Sequence, residues 1–190
     1  MIENLAVCVS ARDHVRGAAR ARVTLVEYGD FGCLYCARAF PIVQELLLHY
    51  RTTLCFVFRH NPLGEPHEGA RWAAHAAEAA GKQGKFWAMH DLLFERGEPV
   101  GQPRLEGYAA LLELDVQRFR SDLHSPEVAR SVREDEIGAL RSGVIGTPTF
   151  FVNGRHFHDK PDLETLFMAI GFSLLSSASA KNRLASTEPL

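Results

Sequence analysis

Two cysteines three positions apart, Cys33 and Cys36 in "DFGCLYCARAF", are the side chains best placed to do chemistry in this chain. They stand where a strand-like run, "VTLVEY" from Val23, gives way to a helix-like one. A thiol at the first turn of a helix meets unpaired backbone N–H groups and the positive end of the helix dipole, and both favour its thiolate. A second thiol one turn later lies on the same side of the helix, within reach of the first. Such a pair can exchange disulfides through a mixed-disulfide intermediate, supply half of a metal site, or be two ordinary buried thiols.

Two further features bear on that choice. Glu27 shares a strand face with Val23 and Leu25, which would turn its carboxyl into the protein unless the strand end is wet and leaves it exposed. Burial there would raise its pKa and let it take or return the proton of Cys36. Thr147-Pro148 precedes the last strands, and spacing leaves open whether that bond is cis. A cis bond beside the cysteines would leave Thr147 backbone groups free to pair with an extended peptide.

A structural zinc site needs four ligands and this pair supplies two. The spare candidates Cys8, Cys55, His60 and His67 are irregularly spaced, so no metal is expected. Cys55 lies mid-strand and reads as a small buried residue, and Cys8 is assigned no role. His156 and His158 alternate along the final strand, as on an exposed edge. His75 and His90 read as surface or partly packed, and Phe86, Trp87, Met89 and Phe94 as a core stripe.

The elements that must hold these residues follow from the pattern. Val23–Tyr28 is a strand, Cys33 to about Tyr50 a helix carrying Pro41, and "LCFVF" (Leu54–Phe58) a central strand apolar on both faces. Helical patterns then run at His67–Gly81, through "GKFWAMHDLLFERG", at about Leu105–Leu123 with a break near Leu114–Asp115, and from the capped "SPE" at Ser125 to Gly143. Thr149–Val152 and Arg155–His158 make a hairpin about Asn153-Gly154, and a helix runs from Pro161 to about Leu175. The order gives an α/β domain: βαβ and ββα halves joined in a mixed four-stranded sheet, with an all-helical insertion. The expected organisation is an N-terminal extension at 1–22, one domain at 23–175 with its insertion at about 65–143, and a disordered tail at 176–190.

Bulk properties narrow the class. At 190 residues, 46% hydrophobic and 23% charged, the chain can bury a sizeable core without staples. A net charge of −2 implies no nucleic-acid or anionic-membrane partner. No apolar run approaches the ~18 residues that span a bilayer. The start, "MIENLAVCVSARDHVRGAARARVTL", places its arginines after a short apolar run, unlike a secretory signal, so a cytoplasmic location is expected for the chain as written. A lone CxxC in a reducing compartment is more often catalytic or metal-binding than a structural bridge.

Taken together, "VTLVEYGDFGCLYC", "FVFRHNPL", "AAHAAEAAGKQGKFWAMHDLLF" and "GVIGTPTFFVNG" resemble the DsbA-like thiol:disulfide oxidoreductases of bacteria, over about Asp13 to Ile170. The resemblance implies a thioredoxin fold with a helical insertion, Cys33 as attacking and Cys36 as resolving cysteine, Glu27 as the buried acid, and a cis Thr147-Pro148 packed against the pair. It also implies protein thiol or disulfide substrates met through Thr147, Pro148, Leu34 and Tyr35. A redox partner recycles the pair, and the Cys33–Cys36 disulfide replaces any cofactor. The dipeptide Leu34-Tyr35 departs from the Pro-His typical of strongly oxidising members. Without that histidine the Cys33 thiolate loses a donor, which implies a less oxidising pair. Two other classes share the fold: glutathione-dependent transferases or isomerases, which generally lack a CxxC pair, and redox-inert binding modules. Insulin reduction separates the oxidoreductase from both, and glutathione conjugation singles out the transferase.

Overall fold

The computed structural model describes residues 3–64, 69–97 and 102–185. Parts of the expected insertion (65–68 and 98–101) and tail (186–190) therefore lie outside the described residues, as does His67. The elements are β1 (His14–Gly17), β2 (Val23–Gly29), α1 (Leu34–His49), β3 (Leu54–His60), α2 (Ala70–Gly81), α3 (Phe86–Arg96), α4 (Gln102–Leu111), α5 (Val116–Leu123), α6 (Pro126–Arg141), β4 (Thr149–Val152), β5 (Arg155–His156) and α7 (Leu163–Ala185). This is a thioredoxin fold, with five helices among the described residues between β3 and β4.

The sheet has five strands in the order β1-β3-β2-β4-β5 rather than the expected four. The addition is β1, from the stretch assigned to an N-terminal extension, which pairs antiparallel with β3 from His14↔Phe58 to Gly17↔Cys55. "HVRG" carries a single large apolar residue, so no hydrophobic alternation announces it; contacts to the insertion hold it. Arg16 forks onto the Asp91 carboxylate at 2.8 and 3.1 Å, and its guanidinium lies 4.4 Å from the Trp87 ring centre. The second correction is at the C-terminal end. The terminal helix continues past Leu175 to Ala185, so 176–185 are helical rather than disordered.

β2 and β3 run parallel, linked through α1, and both are buried along nearly their whole length. Alternation sends Val23, Leu25, Phe56 and Phe58 into one cluster with Ala39, Val43 and Leu46 of α1 and Leu166 and Ile170 of α7. The other face carries Val26, Tyr28, Val57 and Phe151 against Ala139 of α6. The β4–β5 hairpin turns at Asn153 (φ 49°) and Gly154 (φ 78°), the left-handed pair that a two-residue hairpin loop requires. Among the described residues no helix is long and apolar enough to cross a membrane.

His90 departs most from expectation. It is buried, not superficial, among the rings of Phe31, Phe40, Phe58 and Phe94. That burial pushes its pKa down to about 4 against the pull of Asp91, which it meets at 2.9 Å. His75 is half-buried, and His156 and His158 face each other on the exposed edge. Trp87 is half-buried over β1, while Phe86, Met89 and Phe94 are core.

Candidate active site

β2 ends at Gly29, and the chain turns over Asp30–Gly32 to enter α1. The Asp30 carbonyl accepts the Cys33 N–H at 3.0 Å, which closes the turn and puts Cys33 at the N-cap of α1 with extended backbone (φ −86°, ψ 120°). Cys36 follows one turn later and is fully buried, whereas Cys33 keeps 4% of its surface. The Cys33 thiol donates to the Thr147 carbonyl at 3.2 Å, although the two are 114 residues apart in the chain. The Thr147–Pro148 bond is cis. The loop before β4 is thus laid against the start of α1.

The two sulfurs have opposite acidities. Cys33 is lowered to about 5: the Cys36 thiol donates to its thiolate, burial opposes, and Thr147 and the N–H groups of Cys36 and Tyr35 add to the stabilisation. Cys36 is pushed well above the ordinary thiol value by burial, then by its bond to Cys33 and the charges of Glu27 and Cys33, with the Asp30 N–H at 3.4 Å opposing. Glu27 points to the same face of the sheet, 3% exposed, with Oε1 lacking a hydrogen-bond partner. Burial, with the Cys33 thiolate adding, raises its pKa to about 8. Gly29 makes room for this packing, since a Cβ there would meet the Phe58 ring at 2.4 Å and Glu27 Oε1 at 3.1 Å.

Leu34 and Tyr35 offer the thiolate no side-chain donor. They project outward, 62% and 66% exposed. Ile145, two residues before Thr147, and Leu63, whose N–H is bonded to Asp30, are exposed as well. Exposed apolar side chains thus occur on three segments: the start of α1, the loop before β4 and the stretch after β3. Cys8 is exposed, and Cys55 packs half-buried on the opposite face of the sheet, so neither joins the pair. Among the described residues no three His, Cys, Asp or Glu side chains are grouped to hold a metal ion.

Asp30 was not singled out by residue spacing. Its carboxylate is 2% exposed and accepts the N–H of Gly32 at 2.7 Å and of Leu63 at 3.0 Å. An acid directly before a turn that opens a helix was the available signal.

Comparison with known proteins agrees with this geometry. The sequence pattern of the family described as Thioredoxin matches residues 10–171. The chain belongs to the thioredoxin family. Its thioredoxin fold is that of the DsbA-like branch. The crystal structure of a thioredoxin-like oxidoreductase from Silicibacter pomeroyi DSS-3 superposes with a TM-score of 0.78 at 29% identity, covering 86% of this chain and 93% of that one. DsbA2 of Pseudomonas aeruginosa gives a TM-score of 0.68 at 26% identity, covering 87% and 96%. A curated Na(+)/H(+) antiporter NhaA 1 of Salinispora arenicola is 50% identical over 173 residues, which are 91% of this thioredoxin-family chain but 26% of that protein. The chain thus spans about a quarter of the length of the curated relatives it matches.

Proposed function

We propose that this protein exchanges disulfides with protein substrates through Cys33 and Cys36. The observation that carries the reading is a split pair: an acid-shifted sulfur at the mouth of the site and a proton-retaining one buried directly behind it. In the reducing direction, the Cys33 thiolate attacks one sulfur of a substrate disulfide. The substrate S–S bond breaks, one substrate thiolate leaves and a mixed disulfide forms. Cys36 then loses its proton to the Glu27 carboxylate and attacks Cys33 Sγ. The second substrate thiolate departs, the protein keeps a Cys33–Cys36 disulfide, and the substrate has gained two electrons. Oxidation of a substrate dithiol is the same sequence reversed, with Glu27 returning the proton.

Thr147 and Pro148, with Leu34 and Tyr35 on the other side of the sulfur, offer the surface a substrate chain would lie against. The Leu63 and Ile145 side chains extend that surface with apolar area, which suits an unfolded segment better than a polar folded surface. A redox partner must restore the starting state of the pair after each turnover.

Insulin reduction with dithiothreitol tests the reading. The intact protein should accelerate it, Cys33→Ser should abolish the effect, and Cys36→Ser should accumulate mixed disulfides visible by mass. Full turnover by Cys33→Ser would sink the mechanism. Equilibration in glutathione buffers then assigns direction: about −120 to −180 mV marks an oxidant or isomerase, and about −270 mV a reductant.

A further inference from the structure

Asp30 contacts both cysteines and, beyond them, two further backbone N–H groups. Its backbone N–H points at Cys36 Sγ (3.4 Å), and its carbonyl holds the Cys33 N–H (3.0 Å). Carboxylate Oδ1 holds the Gly32 N–H at 2.7 Å, in the turn that opens α1. Oδ2 reaches 33 positions along the chain to the Leu63 N–H at 3.0 Å. A local turn would account for the first oxygen alone. The second ties the entrance of α1 to the segment after β3, whose Leu63 side chain is exposed. A buried carboxylate is costly unless hydrogen-bonded, and here one acid satisfies backbone donors on two separate segments.

We propose that Asp30 is a positioning residue: a two-oxygen clasp that fixes the first turn of α1 around Cys33 and holds Leu63 at the border of the substrate surface. The proposal rests on the redox reading of the pair. The N–H groups of Tyr35 and Cys36 stabilise the Cys33 thiolate only while that turn keeps its shape. Loosening the turn therefore makes the thiolate harder to form. This is opposite in sign to removing an anion near a thiolate, which would make it easier to form.

The test is the pH profile of Cys33 alkylation by iodoacetamide in the reduced full chain, read by mass on the Cys33 peptide. Asp30→Ala should move the profile to higher pH by about one unit, about fivefold slower alkylation at pH 5. Asp30→Asn keeps an acceptor for Gly32 but turns an amide N–H2 toward the Leu63 N–H. It should move the profile less. It should also raise, about threefold, the half-saturating concentration of a disulfide-linked peptide with leucines beside its cysteine. A profile unmoved or shifted to lower pH in Asp30→Ala would overturn the proposal, as would an unchanged half-saturation in Asp30→Asn. Should the alanine variant fail to fold, the asparagine variant carries the test alone. Loss of an acid-shifted thiolate in the unaltered protein would instead defeat the redox reading.

Discussion

At the scale of single residues, the site holds a carboxyl in an environment that disfavours its charge. Glu27 has a pKa of about 8 against an ordinary 4.5, so it favours folding fully only below pH 4.5, and the cost of its ionisation grows as pH rises through about 8. Glu27→Gln should therefore stabilise the protein, by roughly 3 kcal/mol at pH 7, with the gain vanishing below pH 4.5. Urea unfolding at pH 4 and pH 7 reads that difference. The same change removes the group proposed to accept the Cys36 proton. The lifetime of the mixed disulfide should lengthen about 100-fold, measured by quenched-flow alkylation. A variant more stable yet no slower at resolution would leave Glu27 without a role in proton transfer.

At the scale of elements, an ion pair inside the fold ties the N-terminal segment to the sheet. Arg59, at the end of β3, donates to Asp13 at 2.7 Å, to the Val7 carbonyl at 2.9 Å, to Tyr28 Oη at 3.0 Å and to the Cys8 carbonyl at 3.2 Å. Both charged side chains are almost fully buried. Asp13→Asn should cost about 3–5 kcal/mol in denaturant unfolding, because it strands the guanidinium among buried groups. An effect under 1 kcal/mol would mean that the segment before β1 is held by its backbone contacts alone. This network also marks the limit of sequence reading. β2, α1, β3 and the β4–β5 hairpin were legible, since each is written locally: β-branched residues, helical spacing, Asn153-Gly154. Cys33 and Cys36 were legible for the same reason. β1 was not, because "HVRG" becomes a strand only when β3 lies beside it. Nor was the partnership of Arg59, which pairs 46 residues upstream. The available signal was the charge that closes "LCFVFR", which if buried needs a counter-charge. His90 was misjudged because the rings that enclose it come from α1, β3, the turn between β2 and α1, and its own helix. A helix pattern read in isolation shows only the last of these.

At the scale of the whole molecule, the insertion and the sheet are joined through Glu78 of α2, which meets His14 of β1 at 2.6 Å and His60 of β3 at 3.0 Å through the same oxygen. Burial pushes the Glu78 carboxyl up, but the two histidines outweigh it and hold it well below 4.5. A carboxyl depressed in the folded state contributes stability that is present above its unfolded pKa and lost as pH falls through its folded one. Acid should therefore weaken the joint below about pH 4.5, and Glu78→Gln should flatten that part of the stability–pH curve, read by urea unfolding from pH 6 to pH 3. A curve of unchanged slope would place the acid sensitivity elsewhere. The layering of sheet and helices has one more effect. Cys36 has no exposed surface, so of the pair peroxide can reach only Cys33. A sulfenic acid formed there lies against a waiting thiol, and the two condense to a disulfide and water before a second oxidant arrives. The buried sulfur thus acts as an internal antidote, turning permanent oxidative damage into an ordinary step of the working cycle. In Cys36→Ser, peroxide should carry Cys33 on to sulfinic and sulfonic acids, seen as mass gains of two and three oxygens, while the intact protein stops at the disulfide.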